Sequence, residues 1–94
     1  MEAPNVRAHV IVTGRVQGVA FRADARWAAG RAGVSGWVRN RADGSVEAVV
    51  EGERAAVERM LAWFRQGSAL ARVDDVAVCW EPYLGEFPDF RITR

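Results

Sequence analysis

The sequence has too few cysteine and histidine residues to form the sites that these residues usually build. Its 94 residues include one cysteine, Cys79, and one histidine, His9. A single cysteine excludes an internal disulfide bond, and one residue of each type excludes a Cys/His zinc cluster. The carboxylates also do not cluster in a way that suggests a magnesium site. We therefore expect neither a metal nor another cofactor.

The sequence also lacks a large net charge and long hydrophobic runs. Twelve acidic residues nearly balance thirteen basic residues, which are all arginine, so the net charge is +1. Nucleic-acid-binding domains usually carry a clustered basic excess, so we expect no nucleic-acid partner. The apolar runs are far shorter than a membrane span, and residues 1–6 do not resemble a signal peptide. We expect a cytoplasmic monomer with no membrane partner.

The length and the apolar content together fit one compact domain. Half of the residues are hydrophobic, which is enough for a single core in a chain of this size. We assign residues 1–6 to a short N-terminal tail and residues 7–94 to the domain.

Alternation of apolar and polar residues predicts four strands. They cover residues 7–13, 35–40, 45–51 and 73–80. In the first strand Ala8, Val10 and Val12 share one face. In the third strand Glu47 and Glu51 face outward, and Asp43-Gly44 before it is typical of a hairpin turn.

Two segments instead show helical periodicity. Residues 19–32 place Phe21, Ala25, Ala28 and Ala32 on one face, and Gly33 follows as a C-cap. Residues 53–66 would bury Val57, Met60, Leu61 and Phe64, and Gly67 ends that helix.

The resulting order is β-α-β-β-α-β. Two helices on one face of a mainly antiparallel sheet form an α+β, ferredoxin-like sandwich. Residues 90–92 are long enough for one further short strand.

The loop between the first strand and the first helix is the best candidate for a functional site. Residues 14–19 contain Gly14 and Gly18 but no residue that could cap the helix, so its first N–H groups stay free. Free N–H groups at a helix start attract phosphate. Arg22 lies in the first turn, where the helix dipole disfavours a cation unless an anion lies between them. From this pattern alone, an ordinary turn with a solvated arginine is about as well supported.

Asn40 is the second candidate residue. It ends the second strand, where an asparagine more often bonds its own backbone within a hairpin. Its functional alternative is to orient a water molecule near Arg22, because neighbouring strand ends can meet at one sheet edge.

Two segments resemble the signatures of the acylphosphatase family. Gly14-Arg15-Val16-Gln17-Gly18-Val19-Ala20-Phe21-Arg22 is similar to the first signature. Gly36-Trp37-Val38-Arg39-Asn40, followed by Gly44-Ser45-Val46 and Gly52, is similar to the second. The resemblance extends from about Val6 to Ile92.

This resemblance implies a metal-free hydrolase that cleaves the carboxyl–phosphate anhydride of acyl phosphates. It implies that Arg22 and Asn40 are the catalytic pair. It also implies that the backbone of Arg15, Val16, Gln17, Gly18 and Val19 cradles the phosphate. Ala20 departs from the family, whose members commonly carry an aromatic residue or glycine there, and we expect it to border the acyl group.

Two alternatives belong to other functional classes. One is a non-catalytic ferredoxin-like binding or regulatory module, although Ser45, Glu47 and Glu51 do not suit an RNA-binding sheet. The other is a related domain of a larger maturation machine, which would carry additional Cys clusters. Among the remaining residues, we interpret His9 as a surface residue and Cys79 as a partly covered thiol. We interpret all four tryptophans as packing residues.

Overall fold

The computed structural model describes residues 4–94 as five strands and two helices. The strands are β1 (Asn5–Arg15), β2 (Ser35–Asn40), β3 (Val46–Glu53), β4 (Arg72–Glu81) and β5 (Phe90–Ile92), and the helices are α1 (Phe21–Ala32) and α2 (Arg54–Gln66). This order confirms the predicted succession of elements. Strand β1 begins at Asn5, so that Asn5 and Val6 of the predicted tail pair with β3. Residues 1–3 of that tail lie outside the described residues.

The strands form one sheet in the order β4-β1-β3-β2-β5. Every neighbouring pair is antiparallel except β2 and β5, which are parallel. Both helices pack on the same face of this sheet, which confirms the α+β, ferredoxin-like prediction and the short final strand. Neither helix in the described range is long and apolar enough to cross a membrane.

The core lies between this face of the sheet and the two helices. Ala8, Val10 and Val12 are fully buried, as their alternation predicts. The α2 residues predicted to face inward, Val57, Met60, Leu61 and Phe64, are buried as well. The Phe21 ring of α1 lies 5.2 Å from the Trp63 ring and 6.2 Å from the Phe64 ring, measured between centroids. These aromatic contacts fix the start of α1 against α2.

Three packing predictions are wrong. Trp27 is 65% exposed, because it lies on the solvent side of α1, where the Arg31 guanidinium covers its ring. Trp80 is 44% exposed because β4 is an edge strand, and Arg54 lies over its ring. Cys79 is exposed on that strand rather than partly covered.

Glu51 lies on the sheet face that the helices leave open, yet it is only 1% exposed. The segment 82–89 crosses this face, and the backbone N–H groups of Leu84, Gly85 and Glu86 donate to the Glu51 carboxylate. Arg7 contributes a further hydrogen bond of 3.4 Å. The predicted direction of Glu51 is therefore right, but solvent does not reach it.

Candidate active site

Strand register brings Asn40 to the edge of the sheet where β1 ends. Asn40 pairs with Val46 of β3, and Val46 pairs on its other side with Val12 of β1. The chain leaves β1 three residues later and enters the loop 16–20. The last residue of β2 and the loop before α1 therefore share one end of the sheet.

Buried contacts attach the loop 16–20 to the core. The Val16 side chain is in the core, and the partly buried Val19 side chain packs against the core. Buried Ser68 donates a hydrogen bond of 3.2 Å from Oγ to the carbonyl oxygen of Val19. Because the C=O and the following N–H of a trans peptide point in opposite directions, the N–H of Ala20 points away from Ser68. This contact could not be predicted from local sequence, because Ser68 lies beyond α2.

The Gln17 side chain ties the loop to the β2–β3 hairpin. Its Nε2 donates hydrogen bonds to the carbonyl oxygens of Arg41, at 2.7 Å, and Ser45, at 2.8 Å. Asn40 directly precedes Arg41, so this link holds the loop and the asparagine in one arrangement.

The start of α1 is uncapped, as the sequence predicts. Its N-cap residue is Ala20, which has no side-chain acceptor and adopts left-handed backbone angles (φ 59°). This conformation makes the helix begin at Phe21, two residues later than predicted. Gln17, Gly18 and Val19 lie between β1 and α1. Their backbone N–H groups donate no hydrogen bond to a backbone carbonyl of residues 4–94. Orphan donors beside a helix N-terminus form an anion-binding concavity.

Arg22 and Asn40 line the same cavity. This site cavity measures about 200 Å³, and its walls are Val16, Gly18, Ala20, Phe21, Arg22, Ala23, Asn40 and Ile92. Four of the predicted site residues thus meet: Val16, Gly18, Arg22 and Asn40. Arg15, Gln17 and Val19 do not line it, because Arg15 pairs within the sheet and the other two anchor the loop.

The site has an excess of positive charge. Arg22 is partly buried and forms no ion pair with any carboxylate of the described residues. Asp43, in the turn between β2 and β3, accepts hydrogen bonds from the Ser45 hydroxyl and backbone N–H, which lower its pKa. Within the described range, no group of three or more His, Cys, Asp or Glu residues is placed to hold a metal ion. An unpaired guanidinium, a dipole and free N–H groups can together bind a phosphate.

Comparison with known proteins assigns the chain to a family. The model of the acylphosphatase family matches residues 8–92. The chain belongs to the acylphosphatase family. A curated acylphosphatase of Pyrobaculum islandicum is 56% identical over 94% of both chains. One from Roseiflexus sp. is 58% identical over 92% of each. The crystal structure of acylphosphatase from Bacillus subtilis superposes with a TM-score of 0.91 at 35% identity, covering 95% of this chain and 99% of that one.

These relatives make the chain a hydrolase of the acylphosphatase family, and the non-catalytic binding module is not favoured. The two signature segments meet around the site cavity. Sequence reasoning did not identify Phe21, Ala23 and Ile92 as residues of the cavity wall, nor Ser68 as a support of the loop. Helical periodicity could have suggested Ala23, which follows Arg22, but Ile92 reaches the cavity only because β5 pairs with β2.

Proposed function

We propose that the site cavity is where this enzyme hydrolyses acyl phosphates, with Arg22 and Asn40 as its catalytic residues. The observation that carries the proposal is that both side chains line one cavity at the uncapped start of α1. Products are a carboxylate and inorganic phosphate.

Arg22 binds the phosphoryl oxygens. Its planar guanidinium can donate two parallel hydrogen bonds. The free backbone N–H group of Gly18, which lines the cavity, completes the cradle. Phosphoryl transfer depends mostly on positioning and on stabilising charge over the equatorial oxygens. Preorganised donors do this without rearranging during the reaction.

Asn40 positions the attacking water. The water oxygen forms a bond to phosphorus while the bond from phosphorus to the acyl oxygen breaks, and the acyl group leaves as a carboxylate. An asparagine amide is not a base at neutral pH, so a phosphate oxygen of the substrate accepts the proton of the water. No covalent intermediate and no metal ion take part in this scheme.

The leaving group explains why so few groups suffice. A carboxylate departs unaided, whereas a phosphate monoester needs a metal, a nucleophile or a general acid to expel its alkoxide. The natural substrate class is therefore a small acyl phosphate, and we propose that the enzyme acts on it in the cytoplasm as a monomer.

Phosphate release from two substrates tests this proposal. Benzoyl phosphate is expected to be hydrolysed readily at neutral pH in excess chelator, while glycerol phosphate persists. Comparable rates on both substrates, or activity that chelation abolishes and magnesium restores, would contradict the scheme.

A further inference from the structure

A groove along α1 adjoins the site cavity. It measures about 520 Å³ and is lined by Ala23, Arg26, Trp27, Gly30, Arg31 and Ile92. Two of these residues, Ala23 and Ile92, also form the wall of the site cavity. A molecule bound by its phosphate at Arg22 can therefore extend past the small Ala23 side chain into this α1 groove.

Two arginines give the α1 groove a positive charge. Within the described residues, neither Arg26 nor Arg31 forms an ion pair with a carboxylate. Asp24 lies on the same helix but contacts neither of them in this way. Two cations beside an apolar surface that Trp27 exposes suit a ligand with an apolar body and an anionic end.

Arg26 and Trp27 lie within two helical turns of Arg22. Arg26 follows Arg22 by four residues, which is about 6 Å along a helix axis. Arg31 is further along, but its guanidinium carbon lies 4.8 Å from the centre of the Trp27 ring. Trp27 is five residues, or about 7.5 Å, from Arg22. A chain of a few carbons, or one aromatic ring, spans this interval.

We propose that the α1 groove binds the acyl group of the substrate and that Arg26 and Arg31 select acyl groups ending in a carboxylate. The inference rests on the proposed function, because it places the phosphate at Arg22. The substrate class is then a monophosphorylated dicarboxylic acid. Arg26 and Arg31 act on specificity and take no part in breaking the anhydride.

A matched substrate pair tests the groove. Para-carboxybenzoyl phosphate and benzoyl phosphate differ only in a carboxylate on the far side of the ring. The wild-type enzyme is expected to favour the carboxylated compound in kcat/KM by about three- to tenfold, as partly exposed ion pairs allow. In the double variant Arg26→Gln/Arg31→Gln, this preference should fall to near unity, because the KM of para-carboxybenzoyl phosphate rises to match that of benzoyl phosphate.

Controls separate this inference from the function on which it rests. Arg65→Gln, in the last turn of α2, removes one exposed positive charge that lines neither the groove nor the site cavity, and it should keep the preference. Added salt should weaken the preference in the wild type, because exposed charges are screened. A preference that survives in the double variant would overturn the inference, as would its absence from the wild type. Failure to hydrolyse benzoyl phosphate at all would instead overturn the proposed function.

Discussion

Gln17 holds the hairpin that carries Asn40, through a hydrogen bond of 2.7 Å from its Nε2 to the carbonyl oxygen of Arg41. The same amide group also reaches Ser45 at 2.8 Å. One side chain thus sets the spacing between the loop before α1 and the end of β2. Its importance is positional, because it does not line the site cavity.

Gln17→Ala should therefore lower kcat more than it weakens phosphate binding. Displacing a catalytic group by about 1 Å can cost a hundredfold in rate, so we expect a loss of about ten- to a hundredfold. Stability should fall by about 1–2 kcal/mol, since each hydrogen bond contributes about 1 kcal/mol. Steady-state kinetics with competitive inhibition by inorganic phosphate, together with urea unfolding, measure both effects. A normal kcat would mean that the hairpin is held without Gln17.

The left-handed backbone of Ala20 predicts a gain in stability on substitution by glycine. A residue with a Cβ is strained at φ 59°, and glycine is not, so Ala20→Gly should stabilise the protein by about 0.5–1 kcal/mol. Gly18 offers the reverse experiment, because its φ is 73° and an added Cβ meets nothing within 4 Å. Gly18→Ala should destabilise by about 1 kcal/mol through backbone strain alone. Urea unfolding of both variants checks the pair, and equal shifts of the same sign would refute it.

The ionised carboxylate of Glu51 is expected to make the stability of the protein depend on pH. Burial raises its pKa, but the hydrogen bonds from Leu84, Gly85, Arg7 and Glu86 outweigh this effect, so the pKa is lowered from 4.5. A pKa below the unfolded value means that the stabilisation is complete at neutral pH. It is lost as the pH falls below about 4.5 and through the folded-state pKa.

Glu51→Gln should destabilise the protein by about 2 kcal/mol at pH 7, because hydrogen bonds to a charged acceptor are replaced by weaker ones. The difference between variant and wild type should shrink as the pH falls towards 3. Unfolding curves recorded across this range test it. A difference that stays constant with pH would show that the charge of Glu51 contributes nothing.

Local periodicity made most of the fold predictable. The alternation in β1 and the helical spacing in α2 each identify a buried face without knowledge of the partner. Burial of Glu51 could not be predicted, because the segment that covers it lies more than thirty residues away in sequence. The exposure of Trp27 could not be predicted either, because nothing in the sequence showed that this side of α1 faces solvent.

The site was predictable only in part. The missing cap before α1 and Arg22 in its first turn are local signals of an anion site. The catalytic role of Asn40 was predicted mainly from the family resemblance. The side-chain bonds of Gln17 and Ser68 join segments that are far apart in sequence, so no spacing could indicate them.

Asn40→Ala should separate catalysis from binding. A residue that positions water contributes in the transition state, so kcat should fall by about a hundredfold while inorganic phosphate still inhibits with a similar constant. Unfolding should change little, because Asn40 lies at a strand end. A raised KM with normal kcat would instead identify Asn40 as a substrate ligand.

The turnover of benzoyl phosphate by Arg22→Ala tests the central claim most directly. Removing an arginine that stabilises a transferring phosphoryl group costs about a thousandfold or more, and Arg22→Lys should restore only part of it, since lysine lacks the planar fork. Arg65→Ala serves as the control for loss of one positive charge. We predict that Arg22→Ala loses activity by at least this factor and unfolds at nearly the wild-type urea concentration. Activity within tenfold of the wild type would contradict the account.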